Sequence, residues 1–461
     1  MRELDDFLKG VEEYKKLGVN PLSLATGCAV KVDLVDVVYP AISSVRDRLR
    51  EIGVEIWPRE DADVFVTRKL SVKRLIDGGS FRAQRAVSLV QVNQRTASDP
   101  KLFGDFLYHV YSSVRAGGKL VVGKGHSIVT AKPQGEVAIL DMMRLEGSPE
   151  KSYTLANNDT IQIIDPAEPP DSKLHTKVAL SNSLNDLFVK GVWQNIRVIP
   201  VVDSPSPELR QRIETNFQEF SGEIGAELIP EVQPEKGTFM VGATVIGETD
   251  HEPPSFYGEV REGMQVLVTR PMGELTPINL YMWVMINPEM LEDMEKAGID
   301  LSRLKRAKAE ALRLMAKPNL DVAKVLYDHL PEFGKSFDPS VHVAMTTDVS
   351  GPGLMVVKEF AERAGVNVEI HEVPVIDHEI CKFATENFVI PNSTASTNGA
   401  TVIFAEKRVI DDVAQELRRL GHSPQVIGEV KGRGASKVRV SRKVYELIHR
   451  TSILNQFEVV G

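Results

Sequence analysis

The chain has 461 residues, too many for one compact domain and enough for two large ones or about three of average size. With 42% hydrophobic, 26% charged and 6% aromatic residues it has ordinary globular usage, which excludes a disordered, collagen-like or disulfide-stapled chain. Lys+Arg of 55 against Asp+Glu of 64 leaves a net charge of -9, which speaks against a general nucleic-acid or membrane-surface binder but permits a local anion site on glycine loops. Cys28 and Cys381, the 2 cysteines, cannot make a disulfide framework and have no zinc-ligand spacing. The start, Met1-Arg2-Glu3-Leu4-Asp5-Asp6, has no apolar core of a secretory signal, and the apolar run Leu280 to Ile286 is far short of the roughly 20 residues that span a bilayer. A cytoplasmic protein without membrane or nucleic-acid partners is expected.

In chain order, Leu4, Phe7, Leu8, Val11 and Tyr14 predict a helix from Arg2 to Leu17, closed by Gly18. A second helix is predicted from Tyr39 to Ile52. From Trp57 to Tyr153, strand-like stretches (Ala86 to Val92, Lys119 to Val122, Glu136 to Leu140) alternate with a helical run, Lys101 to Arg115. A strand is predicted at Asp159 to Ile164, a helix from Leu174, a buried strand at Asn195 to Val202, an amphipathic helix at Ser206 to Gly225 and a strand at Gly237 to Gly247. Glu248 to Ser255, acidic and punctuated by Pro253-Pro254, is the predicted domain boundary. Beyond it come a strand at Gln265 to Thr269, a helix at Leu301 to Met315, a strand at Val341 to Thr346, a helix ending at Ala364 and strands at Val366 to Ile370 and Ala400 to Phe404. A helix to Leu420 and a strand at Ser423 to Val430 close the unit. The class is α+β, with helices and strands mixed throughout.

Several residues have the chemistry of a site. Cys28 and Lys31 form a C-x-x-K pair after Gly27, where a nearby ammonium would lower the thiol pKa and could also neutralise phosphate. A small buried Cys beside a solvated Lys has the same spacing. Asp186 follows Asn185 on a helix whose other face is apolar, as a magnesium ligand or an ordinary surface Asp would. Asp348 lies where a strand runs into a loop with Gly351 and Gly353 ahead of a helix N-terminus, a place for a metal ligand or a cap. Glu60, Asp61 and Asp63 would suit a shared metal or a solvated strand edge. Gly117-Gly118 and Gly123-Lys124-Gly125-His126 are neither a P-loop nor a dinucleotide fingerprint.

In order, Thr26-Gly27-Cys28-Ala29-Val30-Lys31, Ala179-Leu180-Ser181-Asn182-Ser183-Leu184-Asn185-Asp186 and Thr346-Thr347-Asp348-Val349-Ser350-Gly351-Pro352-Gly353-Leu354 resemble three motifs of the selenophosphate synthetase branch of the aminoimidazole-ribonucleotide synthetase superfamily. They are similar to its Gly-Cys…Lys motif, its AANALSDVYAMGG helix and its TDVTGFGLLGH loop. The resemblance implies a two-domain architecture: residues 1–252 an ATP-binding and dimerisation domain with an insertion at about 68–157, residues 253–461 a C-terminal α/β domain. It implies a homodimer that binds ATP with Mg2+, with Cys28 the chalcogen-handling nucleophile and Lys31 a phosphate-charge partner. Asn185, Thr347, Gly351 and Gly353 would line the nucleotide site, and Asp61, Asp63, Asp186 and Asp348 would hold the metal.

The sequence also departs from that pattern. The insertion replaces a short connection, Ser350 and Pro352 replace Thr and Phe of the family loop, the AMGG glycines reduce to Lys190-Gly191, and the GGHT element expected after Ala226 is missing. The implied activity is ATP-dependent phosphorylation of selenide or a related sulfur nucleophile. Another ATP-using reaction of the superfamily, of purine or thiamin type, and a nucleotide-binding protein without turnover are the alternatives.

Overall fold

The computed structural model describes residues 2–19, 39–51, 54–57, 118–121, 130–131, 137–138, 143–145, 152–229, 239–390, 392–448 and 457–460. Cys28, Lys31, Asp61, Asp63 and most of the 68–157 insertion lie outside them, as do the predicted strand at Ala86 to Val92 and helix at Lys101 to Arg115. In chain order the helices are α1 (Arg2–Lys16), α2 (Tyr39–Glu51), α3 (Lys173–Phe188), α4 (Pro207–Glu223), α5 (Leu275–Ile286), α6 (Pro288–Lys296), α7 (Leu301–Ala316), α8 (Leu320–Asp328), α9 (Met355–Ala364), α10 (His378–Glu386), α11 (Lys407–Arg419) and α12 (Arg442–Ile448). The strands are β1 (Val54–Trp57), β2 (Gly118–Val121), β3 (Thr130–Ala131), β4 (Val137–Ala138), β5 (Met143–Leu145), β6 (Tyr153–Ile161), β7 (Gln194–Asp203), β8 (Glu227–Leu228), β9 (Met240–Thr249), β10 (Gln265–Val268), β11 (Met345–Asp348), β12 (Val366–Ile370), β13 (Thr401–Ala405), β14 (Gln425–Arg433), β15 (Val438–Ser441) and β16 (Phe457–Val460). The α+β class expected from the sequence is the observed one.

Two larger mixed sheets organise the chain. The first has the order β5-β6-β9-β7-β8, antiparallel except for the parallel β7/β8 pair. Its strand β6 starts at Tyr153, six residues before the predicted start at Asp159, so the end of the predicted insertion is part of this sheet. Helix α3 packs across β6 and β9, and α4 packs on β7 and β8. Helix α3 starts at Ser172, whose side chain accepts from His175 N, and α4 at Ser206, which accepts from Leu209 N with Pro207 in the first turn.

The second sheet has the order β11-β13-β10-β14-β12-β15-β16. Alternation sorts its side chains. Val266, Val268, Val402 and Phe404 join the core beneath α9, while Leu267, Ile403 and Ala405 join the core beneath α8 and α11. Both faces are therefore covered. The predicted strand Val341 to Thr346 is shifted: Val341 is exposed in a turn, and the strand runs on to Asp348.

Helices α5, α7 and α10 follow the predicted boundary in sequence but share one apolar core with the first sheet, α1, α3 and α4. Helix α5, Leu-Thr-Pro-Ile-Asn-Leu-Tyr-Met-Trp-Val-Met-Ile, is buried around most of its circumference and has no polar face to reveal a helical period. The boundary segment itself is tied down. Phe333 N donates to Asp250 O (2.7 Å), Glu252 N to Pro331 O (2.7 Å) and Tyr153 Oη to Glu252 Oε1 (2.7 Å).

His175, in the first turn of α3, is 3% exposed, lies against the rings of Tyr14 and Phe239 and makes a ring-nitrogen hydrogen bond through Nδ1 to Pro170 O (3.1 Å). Burial pulls its pKa down to about 4. Above pH 6.5 the imidazole is neutral whether folded or unfolded. Between 6.5 and 4 only the unfolded chain takes up the proton, so stability falls as pH falls and levels off below about 4. Urea unfolding at pH 7 and pH 5 should differ by about 2 kcal/mol through this group, since one pKa unit is about 1.4 kcal/mol. His175→Asn, which keeps a donor for Pro170, should lose that share of the pH slope.

Candidate functional site

The candidate site is built on α3. From Val178 to Val192 every residue is buried except Asp186, which reaches solvent. Strand β6 supplies the floor. Asn157 and Asp159 are two residues apart and so share the face that α3 covers. Asn157 Nδ2 donates to Asp186 Oδ2 (2.6 Å) and to Ser183 O (3.1 Å), which fixes the carboxylate through one oxygen. Asn182 Nδ2 donates to Asp159 Oδ2 (2.7 Å), and Thr397 Oγ1 donates to Asn182 Oδ1 (2.5 Å). Asn185 Oδ1 accepts from Asn319 Nδ2 (2.6 Å), while its own Nδ2 has no hydrogen-bond partner among the described residues although the side chain is 1% exposed. A buried amide donor without an acceptor costs about 1–3 kcal/mol, a cost that an anionic ligand would offset.

The other wall is β11 and the loop after it. Met345, Thr346 and Thr347 are buried, and Asp348 is the residue of the strand that reaches solvent. The Gly351–Gly353 loop is fastened by the polar, buried segment 392–399. Asn392 Nδ2 donates to Pro352 O (2.6 Å), Thr394 Oγ1 accepts from Leu354 N (2.8 Å), and Ser396 N donates to Ser350 O (3.1 Å). Gly353 has φ +58°, and a Cβ there would overlap the Thr394 and Asn392 side chains, so its missing side chain serves this packing. Gly351 is half-buried in the turn closed by Gly353 N donating to Ser350 O (2.9 Å).

The two walls are in register. At one end, Thr346 Oγ1 donates to Val189 O and Lys190 Nζ donates to Thr346 O. In the middle, Asn319 joins Asn185 to Gly399 O (3.0 Å), and Val349 N donates to Ala400 O (2.8 Å). Farther along, Asn182 meets Thr397. Moving from Val189 back to Asn182 on α3 thus runs alongside moving from Thr346 to Ser350 on β11 and its loop. Asp186 is one helical turn back from Lys190, and Asp348 is two strand residues on from Thr346 and on the same face. Asp186 and Asp348 thus lie on the two elements that the Lys190–Thr346 contact joins, one helical turn and two strand residues away from it.

That donor set fits magnesium, which takes one or two carboxylates and completes its shell with phosphates and water. Among the described residues no group of three or more His, Cys, Asp or Glu is placed to hold a metal ion by itself. The remaining predicted ligands, Asp61 and Asp63, and the predicted nucleophile pair, Cys28 and Lys31, lie outside the described residues. Cys381 is no substitute for Cys28. It is fully buried on α10, its Sγ is 3.7 Å from Ser393 O, and burial pushes its thiol up to about 12.

Sequence reading missed Asn157, Asn182, Asn319, Thr397 and Asn398 as parts of this seam. The available signal was the run Asn392-Ser393-Thr394-Ala395-Ser396-Thr397-Asn398-Gly399: polar yet leading into the mostly apolar stretch Val402-Ile403-Phe404-Ala405, where a surface loop would be expected. No helix among the described residues is long and apolar enough to cross a membrane.

No family model matches the sequence, and no curated protein matches it. Among solved structures the chain is similar to thiamine-monophosphate kinase from Stenotrophomonas maltophilia K279a, at 14% identity and a TM-score of 0.46, over 64% of this chain and 87% of that one. It is similar to thiamine monophosphate kinase from Aquifex aeolicus at 14% identity and a TM-score of 0.43, over 64% and 90% of the two chains. It is similar to E. coli HypE, a hydrogenase maturation protein, at 19% identity and a TM-score of 0.42, over 62% and 82%. At these identities and scores the likenesses are partial likenesses of fold and assign no activity to this chain.

Proposed function

We propose that this chain is an ATP-dependent phosphotransferase resembling selenophosphate synthetase, acting on selenide or a related sulfur nucleophile as a cytoplasmic homodimer. What supports the reading is the pair Asp186 and Asp348, each the solvent-reaching position of an otherwise buried element, on the two elements that the Lys190–Thr346 contact joins. The motifs that bring them there occur in the family's order. Asp186 and Asp348, with Asp61 and Asp63 as further ligands, would hold Mg2+, which when bound neutralises charge on the transferring phosphoryl group. Asn185 would donate its Nδ2, which has no partner among the described residues, to a phosphate oxygen, with Thr347 and the Gly351–Gly353 loop alongside. Cys28 would handle the chalcogen, and Lys31 would neutralise phosphate charge.

The test is ATP turnover with and without selenide or sulfide, for the native protein and Cys28→Ser. Acceptor-dependent turnover that Cys28→Ser abolishes is the expected result, and undiminished activity in the mutant removes Cys28 from the mechanism. ATP binding with no turnover for any acceptor would favour the nucleotide-binding alternative. A thiol titration of the native protein at pH 8 should count one reactive group, lost in Cys28→Ser, because Cys381 is buried and protonated.

A further inference from the structure

We infer that Lys190 is a positioning residue for this metal site, holding β11 against the end of α3 so that Asp348 faces Asp186. The inference rests on the reading of those two carboxylates given above. Lys190 is 0% exposed, which is rare for an ammonium and costly unless the charge is well bonded. A methionine or leucine would fill the same space without that cost, so the ammonium needs a reason beyond packing.

The geometry supplies one. In the sheet order β11 is the edge strand next to β13, and beyond that pairing Met345 makes one isolated bridge to Ser255. With Val349 N bonded to Ala400 O, the main-chain groups of Thr346 and Asp348 point away from β13. Thr346 O would then lack a ladder partner, and Lys190 Nζ donates to it. The hydroxyl of Thr346 returns a hydrogen bond to Val189 O, which is one of the carbonyls left over at the end of α3. The clasp is thus reciprocal, made two residues before Asp348 and one helical turn after Asp186.

The end of α3 is itself fixed. Gly191 has φ +72°, and Val192 N donates to Leu187 O (3.2 Å), the bonding that terminates a helix on a left-handed glycine. The Phe360 ring, with its centroid 5.8 Å from the ammonium, borders it from α9.

Lys190→Met separates positioning from electrostatics by the sign of its effect. If the ammonium acted on the metal only as a charge, removing it would tighten divalent-cation binding. If it positions β11, removing it weakens binding. The measurement is Mn2+ affinity by EPR at saturating non-hydrolysable ATP analogue, with thermal melting of each metal-free variant alongside.

The expected result is a loss of about 10-fold or more in Mn2+ affinity for Lys190→Met, as for residues that orient metal ligands, with Lys190→Arg close to native. Thr346→Val, which removes the other half of the clasp and keeps the shape, should weaken Mn2+ in the same direction, and it decides the matter if Lys190→Met does not fold. Affinity within twofold of native, or tighter, in the folded variants overturns the inference. If the native protein binds no Mn2+ with the nucleotide, the metal-site reading fails and takes this inference with it.

Discussion

Asp186→Asn and Asp348→Asn are each expected to lower Mg2+-dependent ATP turnover by about 10²- to 10³-fold, the loss of several kcal/mol that a misheld catalytic metal brings. The fold should survive both. Asparagine keeps the shape, and both positions reach solvent, where substitutions cost little. Asn157 can still donate to the side-chain oxygen of an asparagine at position 186 if the amide is turned accordingly. The metal-free mutants should therefore melt close to the native temperature, while nucleotide with Mg2+ should stabilise the native protein and not the mutants. Turnover within threefold of native for both would remove these carboxylates from the chemistry.

Asp186 and Asp348 could be singled out in the sequence because their neighbours carry local signals. Asp186 interrupts an apolar helical pattern, and Asp348 ends a strand ahead of glycines. The elements around them were legible for the same reason: α1, α3, α4, α7 and α11 have a period, a cap or a closing glycine. Helix α5 was not, because a segment buried on nearly all sides has no polar face to mark its turns. β15 and β16 were not, because each is 4 residues long and joins the sheet by parallel pairing, β15 to the distant β12 and β16 to β15 across a helix. The seam was least legible. Asn185 could be placed on a helix and named for the nucleotide site, but Asn319 and Asn398, more than 70 residues from it and from each other, each read alone as a loop asparagine. Their shared hydrogen bonds exist only once both sheets are formed.

Those asparagines also connect the site to the core of the second sheet. Asn398 Nδ2 donates to Met315 O (2.7 Å) and Lys317 O (2.9 Å) at the end of α7, just before Asn319 reaches Asn185. Arg270, just beyond β10, donates to Leu314 O (2.8 Å) through Nη1 and to Asn398 O through Nη2. Arg270 thus fixes both the end of α7 and the 392–399 segment from behind. Its carboxylate partner is Glu274, at 3.2 Å, and the two side chains are 4% and 0% exposed. Burial pushes the Glu274 carboxyl up, and the guanidinium beside it opposes that rise.

Breaking this pair should give the largest loss of stability among the substitutions considered. Arg270→Met leaves Glu274 buried without its counter-charge and removes donors from two carbonyls, so about 3–5 kcal/mol is expected in urea unfolding. Glu274→Met strands a buried guanidinium, which cannot shed its proton, and should cost a similar amount. The double variant Arg270→Met with Glu274→Met should recover much of either single loss, because an apolar pair of similar volume avoids the desolvation cost that the ions incur. Additive losses in that cycle would mean that the two charges are not coupled. Recovery should stop short of native stability, since Leu314 O and Asn398 O still lack the Arg270 donors. The double variant separates stability from function as well. Its core is restored but the clamp on Asn398 is not, so Asn319 and Asn185 lose their backing, and nucleotide affinity should remain below native even where the unfolding midpoint has returned.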